Sequence, residues 1–200
     1  KGLPLQYIPG SGDGGRIVRR DIDAFMAGAS VQSASAVESY TEENVSQMRK
    51  TIARRLAESK FTAPHFYLTM EINMGRAVEA RAAMNAATGS KVSFNDMVVK
   101  ATALALKQHP KVNSSWQGDT IRYNHHVHMG IAVAVDEGLL VPVVRFADTK
   151  TLAQINQEVK TFAEKAKSKK LQPSDWEGNT FTISNLGMFG IEEFTAIVNP

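Results

Sequence analysis

The sequence contains no cysteine, no long apolar run and no strong excess of charge of one sign. The absence of cysteine from 200 residues excludes disulfide frameworks, thiolate zinc sites and a cysteine nucleophile on this chain. The longest apolar stretches, 129–135 and 139–144, are far shorter than the ~20 residues of a membrane-spanning helix, so no membrane partner is predicted. A net charge of +3 with 8% aromatic residues gives no dense basic surface interleaved with aromatics, so no nucleic-acid partner is predicted either.

The composition that remains is that of a globular protein, with 43% hydrophobic and 22% charged residues. Three regions differ in character. Residues 1–28 contain a glycine-rich loop followed by an amphipathic helical pattern. Residues 29–40 are small and polar without periodicity, which predicts a flexible linker. Residues 41–200 alternate helical and strand patterns and are predicted to form one α/β unit.

Within residues 41–200 the periodicity predicts a mixed sheet with helices packed on it, an α/β fold of the two-layer α+β kind. Apolar residues at helical spacing predict helices over 46–60, 75–87, 94–108 and 151–170. Alternating apolar residues predict strands over 66–72 and 180–184 and a hairpin of 127–135 with 139–144.

The local patterns offer several candidate sites, none of them decisive. Ser184 and Asn185 end a strand before a Gly-x-x-Gly turn, where the hydroxyl could stabilise an oxyanion, although Ser-Asn-x-Gly is also ordinary turn chemistry. Alternation puts His126 and His128 on one face of a strand, but no third ligand is evident, so no metal site is predicted. His65 is interpreted as structural. The loop at 10–15 lacks the Gly-Lys-Ser/Thr ending of a phosphate loop.

Taken together, six stretches in order resemble the dihydrolipoyl acyltransferase components of 2-oxo acid dehydrogenase complexes. The Thr182–Gly190 stretch is most similar to the members that belong to pyruvate dehydrogenase complexes, and residues 1–28 are similar to the second half of the family's peripheral subunit-binding domain. The stretches are MRKTIARRL (48–56), PHFYL (64–68), SFND (93–96), VNSSW (112–116), GLLVPVV (138–144) and FTISNLGMFG (181–190).

The resemblance implies a chloramphenicol acetyltransferase-like fold, assembled as trimers into a cubic or dodecahedral core. It implies acetyl transfer between coenzyme A and a lipoyl group carried on a domain outside this chain, with the lipoyl domain and the dehydrogenase components as further partners. Ser184 would donate a hydrogen bond to the oxyanion, while Arg81, Ser93 and Asn185 would contact coenzyme A. The implied compartment is the cytoplasm of a bacterium or the mitochondrial matrix of a eukaryote.

Two departures limit what the chain is expected to do alone. Residues 1–28 match only part of the subunit-binding domain, and the family's Asp-His-Arg-x-x-Asp-Gly motif, with its general-base histidine, does not occur in the sequence. Residues 41–200 are therefore interpreted as a C-terminally truncated catalytic domain, predicted to be inactive alone. Two alternatives stay open: a branched-chain or succinyl-transferring member, and a non-catalytic scaffold fragment.

Overall fold

The computed structural model describes residues 5–28, 38–135 and 138–198. Its chain divides into two compact units, Lys1–Asn44 and Val45–Pro200. The predicted linker at 29–40 lies largely outside the described residues, as does the tip of the predicted hairpin at 136–137. Among the described residues, no helix combines the length and the apolarity needed to cross a membrane.

The first unit contains two 3₁₀ turns, Leu5–Tyr7 and Asp13–Gly15, and helix α1 at Arg19–Gly28. The helix begins later than the apolar pattern from Ile17 suggests. The Asp21 carboxylate accepts hydrogen bonds from the Ser11 N–H and hydroxyl and from the Val18 N–H. Because these donors stabilise the charged form, the pKa of Asp21 lies below its ordinary value.

The second unit carries the predicted helices with small changes at their ends. They are α2 (Gln47–Thr62), α3 (Gly75–Thr88), α4 (Phe94–Gln108) and α5 (Leu152–Lys167). A short helix that was not predicted, α6, lies at Pro173–Trp176. Ser46, Ser93 and Thr151 cap the N-termini of α2, α4 and α5 by accepting a backbone N–H. The predicted helix over 151–170 ends at Lys167 because the chain turns there, with Lys169 in a left-handed conformation.

Within residues 5–28, 38–135 and 138–198, the strands are short and form three small sheets. They are β1 (Ser114–Trp116), β2 (Ile121–Tyr123), β3 (Met129–Ile131), β4 (Val133–Val135), β5 (Gly138–Leu140), β6 (Val143–Val144) and β7 (Phe181–Ile183). The central sheet has the order β6-β3-β7, with β3 antiparallel to β6 and parallel to β7. The predicted hairpin is confirmed, because β4 pairs with β5 and β3 pairs with β6.

The predicted strand over 66–72 is wrong. No residue of this segment belongs to a strand, and Phe66, Leu68, Met70 and Ile72 are 73–81% exposed. The alternation of apolar residues is real, but within the described residues no neighbouring strand pairs with the segment. A second difference is the antiparallel β1–β2 hairpin, which the sequence analysis did not predict.

The core lies between α4, α5 and one face of the central sheet. Val99, Ala103 and Leu106 of α4 and Ile155 of α5 meet Met129, Ile131 and Val144. Val159, Phe162, Phe181 and Ile183 pack against this cluster. Burial of this apolar surface fixes the sheet against the two helices.

Candidate functional site

The central sheet has one face in the core and one face away from the helices. Phe181 and Ile183 pack against the core cluster. Since side chains alternate along a strand, Thr180, Thr182 and Ser184 lie on the opposite face. Gly130 of β3 pairs with Thr182 of β7. A Cβ atom at Gly130 would lie 2.7 Å from Val141 Cγ1, so only a residue without a side chain allows this close packing on the face away from the helices.

Ser184 follows the last residue of β7 and is half-buried. The Ala132 N–H donates to Ile183 O at 2.9 Å, which fixes the backbone directly before the serine. Among the described residues, no group forms a hydrogen bond with the Ser184 hydroxyl. The strand end therefore presents a positioned hydroxyl whose proton is free for a ligand.

Asn185 is exposed and shapes the turn after Ser184. Its Oδ1 accepts the Gly187 N–H at 2.9 Å, and a 3₁₀ turn follows over Gly187–Phe189. This arrangement occupies the amide oxygen, while the Nδ2 hydrogens remain unbonded within the described part of the chain. Asn185 can thus act toward a ligand as a donor.

The structure brings Arg81 and Ser93 to the same connection between α3 and α4. The Arg81 guanidinium carbon lies 4.1 Å from the Phe94 ring centroid, and its Nη1 donates to Val92 O at 3.4 Å. Arg81 Nε is buried without a partner in the described residues, so most donors of the guanidinium are uncommitted. Among those residues, no hydrogen bond, ion pair or ring contact joins Arg81 or Ser93 to Ser184.

Ser93 is committed to a helix cap. Its hydroxyl donates to Asp96 Oδ2 at 2.7 Å and accepts the Asp96 N–H at 3.1 Å, completing a capping box at the start of α4. Because its single proton is used, Ser93 in this conformation can only accept a further hydrogen bond. A phosphate, which accepts as well, does not suit it.

Asp96 was not among the candidate residues predicted from the sequence. It is fully buried, and its Oδ2 also accepts Asn156 Nδ2 of α5 at 2.7 Å, while its Oδ1 has no partner among the described residues. The Ser-x-x-Asp spacing before an apolar helix was the signal that could have identified it.

The histidines differ in their surroundings. The rings of His126 and His128 lie with centroids 4.3 Å apart, which confirms that they share a face. Burial lowers the pKa of His128. His65 uses both ring nitrogens in hydrogen bonds to the backbone: its Nδ1 donates to Ala63 O at 2.7 Å and its Nε2 accepts the Val198 N–H at 3.2 Å. Its interpretation as structural stays a prediction. The described residues contain no group of three His, Cys, Asp or Glu side chains that could hold a metal ion.

Comparison with known families decides the relationship. Residues 37–200 match the model of the 2-oxoacid dehydrogenases acyltransferase (catalytic domain). The chain belongs to this acyltransferase family. The match contains Ser184, Asn185, Arg81 and Ser93, so all four candidate residues lie in the acyltransferase catalytic domain.

Curated relatives of the acyltransferase domain are similar along the whole chain. The dihydrolipoyllysine-residue acetyltransferase component of the mitochondrial pyruvate dehydrogenase complex of Schizosaccharomyces pombe is 43% identical, over 100% of this chain and 45% of that protein. The corresponding component of Rickettsia bellii is 41% identical, over 98% of this chain and 49% of that protein. The chain thus spans about half the length of the curated relatives it matches.

Solved acyltransferase structures share the fold, which confirms the expected chloramphenicol acetyltransferase-like architecture. The Azotobacter vinelandii dihydrolipoamide acetyltransferase, studied for the catalytic role of one serine, one histidine and one asparagine, is 35% identical with a TM-score of 0.77. That alignment covers 84% of this chain and 71% of the other. The cubic core of a pyruvate dehydrogenase multienzyme complex is 36% identical with the same TM-score, covering 84% of this chain and 71% of that one.

Proposed function

We propose that the polypeptide carrying this sequence transfers an acetyl group between coenzyme A and the dihydrolipoyl group of a pyruvate dehydrogenase complex. The observation that supports this most is the unbonded Ser184 hydroxyl, held at the end of β7 on the sheet face away from the helices. The names of the similar proteins supply the acyl group and the carrier.

In the proposed reaction, the thiol of one substrate loses its proton to a general base and attacks the thioester carbon of the other. Ser184 donates its hydrogen bond to the oxyanion of the tetrahedral intermediate. The intermediate collapses and expels the second thiolate, which takes the proton back from the base. A single donor of this kind is worth about 3 kcal/mol of transition-state stabilisation. The base is proposed to be the histidine of the Asp-His-Arg-x-x-Asp-Gly motif, which residues 1–200 do not contain.

The three residues proposed to contact coenzyme A differ in whether they can donate or accept a hydrogen bond. Arg81 has uncommitted guanidinium donors and suits a phosphate of coenzyme A. Asn185 can donate through Nδ2. Because its proton is bound to Asp96, Ser93 is proposed to accept from an amide or hydroxyl group of the ligand rather than to bind phosphate.

The proposed oligomeric assembly also rests on similarity to the solved structures. Relatives form cores of multienzyme complexes, and we propose trimers building a cubic or dodecahedral core. Residues 1–28 are proposed as part of a subunit-binding domain for the dehydrogenase components, residues 29–40 as a linker and 41–200 as part of the catalytic domain. The proposed compartment is the mitochondrial matrix in a eukaryote and the cytoplasm in a bacterium.

An assay of the full-length polypeptide with dihydrolipoamide and a panel of acyl-CoA thioesters tests the activity and its specificity. The expected result is a kcat/KM for acetyl-CoA at least about tenfold above those for succinyl-CoA and isobutyryl-CoA, a difference of about 1.4 kcal/mol in transition-state binding. A preference for either of the other thioesters would assign the chain to a different complex. No transfer with any thioester would contradict the function.

The 200-residue chain alone is proposed to have negligible turnover, because general-base catalysis contributes about 10²–10⁴-fold and its histidine motif is absent. The same assay on this chain provides the test. Acetyl transfer at the rate of the full-length polypeptide would show that the base lies within these residues.

A further inference from the structure

His128 lies where three segments of the second unit meet. It directly precedes β3, and its ring packs edge-on against the Phe146 ring with centroids 4.6 Å apart. Its backbone joins the start of β7, because His128 O accepts the Thr180 N–H at 2.8 Å and His128 N–H donates to Thr180 Oγ1 at 3.1 Å. The side chain is buried, with 6% of the residue exposed.

The imidazole holds a strained turn in place. His128 Nδ1 accepts the Phe146 N–H at 3.0 Å, so the ring carries its proton on Nε2. Phe146 has a φ of +51°, in the left-handed region that is unfavourable for a bulky residue. The Nδ1 bond, together with the Ala147 N–H that donates to Val127 O at 2.9 Å, maintains this turn.

The hydrogen-bond ladder between β3 and β7 links His128 to Ser184. From His128 and Thr180 the parallel pairing of β3 and β7 runs through Met129↔Phe181 to Ile131↔Ile183. The last bond of this ladder, from Ala132 N–H to Ile183 O, immediately precedes Ser184. A shift at the start of the ladder therefore moves the strand that ends in the candidate catalytic hydroxyl.

We propose that His128 is a positioning residue for Ser184. Its Nδ1 holds the Phe146 turn against the β3–β7 junction, and this fixes the register from which β7 delivers the Ser184 hydroxyl to the oxyanion. The inference rests on the proposed acetyl transfer for its kinetic consequence. Its structural part, the bond between Nδ1 and the Phe146 N–H, does not.

Protonation of the imidazole would remove the acceptor. Burial is the main cause that opposes protonation, while the Val127 carbonyl favours it. The His126 imidazole and the Arg145 guanidinium also oppose a positive charge on the ring. Asp148 is the opposing carboxylate, but Lys107 of α4 lies 3.6 Å from its Oδ2 and compensates it. The nearby Lys100 Nζ binds Asp148 O and Lys150 O on the same turn. A cationic His128 would thus lose its bond to the Phe146 N–H and place a charge in a buried site.

The test compares His128→Asn, whose Oδ1 can replace Nδ1 as acceptor, with His128→Leu, which has no acceptor, in the full-length polypeptide. His126→Leu is the matched control, because His126 is exposed and its ring nitrogens form no hydrogen bond among the described residues. We expect His128→Leu to lower kcat by about ten- to a hundredfold at unchanged KM, the effect of a small misplacement of a catalytic group. His128→Asn and His126→Leu should stay within about threefold of the unsubstituted protein.

Two further readouts separate positioning from simple destabilisation. The acidic fall of kcat should be present in the unsubstituted protein and reduced in His128→Asn, which cannot titrate. Amide hydrogen exchange should accelerate at Phe146 and Phe181 in His128→Leu and not in His128→Asn. Equal kcat values for the Leu and Asn variants would overturn the inference. If the unsubstituted protein transfers no acetyl group, the proposed function fails. Independently of that result, unchanged amide hydrogen exchange at Phe146 and Phe181 in His128→Leu would overturn the inference.

Discussion

At the scale of single residues, three hydroxyl groups follow one face of β7 and only one of them is free. Thr180 Oγ1 exchanges hydrogen bonds with the backbone of His128. Thr182 Oγ1 accepts Asn179 Nδ2 at 2.9 Å. Ser184 has no such partner in the described part of the chain. The structural hydroxyls thus position the strand, and the third is left for a ligand.

Stability should depend on pH through His128. Burial lowers its pKa, so the folded protein binds fewer protons than the unfolded chain, and stability rises with pH in this window. The contribution of His128 is present above the unfolded-state pKa of about 6.5 and is lost as pH falls from there toward the lower folded value. Urea unfolding at several pH values between neutral and mildly acidic should show a loss that is smaller in His128→Asn. Equal losses in both proteins would contradict this assignment.

At the scale of elements, α4 and α5 both begin with a capping box, one of them buried and the other exposed. Ser93 and Asp96 cap α4 in a buried site that also receives Asn156 from α5. Thr151 and Gln154 form the corresponding box on α5, where their hydrogen bonds are exposed. Since an unsatisfied buried donor costs more than an exposed one, only the first box should contribute strongly to the stability of the fold.

Asp96→Ala should therefore destabilise the protein by about 3 kcal/mol, because it removes a charged acceptor from Ser93 and Asn156 in the interior. Gln154→Ala, the matched change in the exposed box, should cost at most about 1 kcal/mol. Denaturant unfolding of both variants measures the difference. Equal losses in the free energy of unfolding would contradict the claim that the buried capping box contributes more to stability than the exposed one.

The elements also show what the sequence could predict. The helix over 94–108 matched at both ends, since periodicity and a cap define a helix locally. The segment 66–72 failed because a strand also requires a neighbour, which its own residues do not encode. Ser184 and Asn185 could be selected from the local pattern of a strand end before a glycine turn, whereas likeness to a family supplied the expected roles of all four candidates. The commitment of the Ser93 proton to Asp96 depends on three-dimensional contacts. The roles of His128 and Asp96 likewise depend on contacts with distant residues.

At the scale of the whole molecule, the segment 63–74 leaves an apolar stripe uncovered. Phe66, Leu68, Met70 and Ile72 are exposed, and the segment's polar side contacts the chain through Tyr67 with Lys60 and Thr69 with Glu193. Contiguous exposed apolar surface of this kind promotes association.

The 200-residue chain should consequently bind hydrophobic dyes and self-associate in a concentration-dependent way. Replacing Leu68 and Met70 together with serine should reduce dye fluorescence and the mass measured by light scattering. Thr69→Ser with Asn73→Ser, on the alternate positions, is the control and should leave both unchanged. If the Leu68 and Met70 variant associates as strongly as the control, the stripe is not the associating surface.

The kinetic effect of Ser184→Ala tests the central claim most directly. In the full-length polypeptide, assayed with acetyl-CoA and dihydrolipoamide, the substitution should lower kcat by about 10²–10³-fold and leave KM nearly unchanged, as expected for a donor that acts in the transition state. Ser174→Ala, an exposed serine of α6, is the control and should retain full activity. A kcat for Ser184→Ala within about twofold of the unsubstituted protein would contradict the assignment of Ser184 as the oxyanion donor.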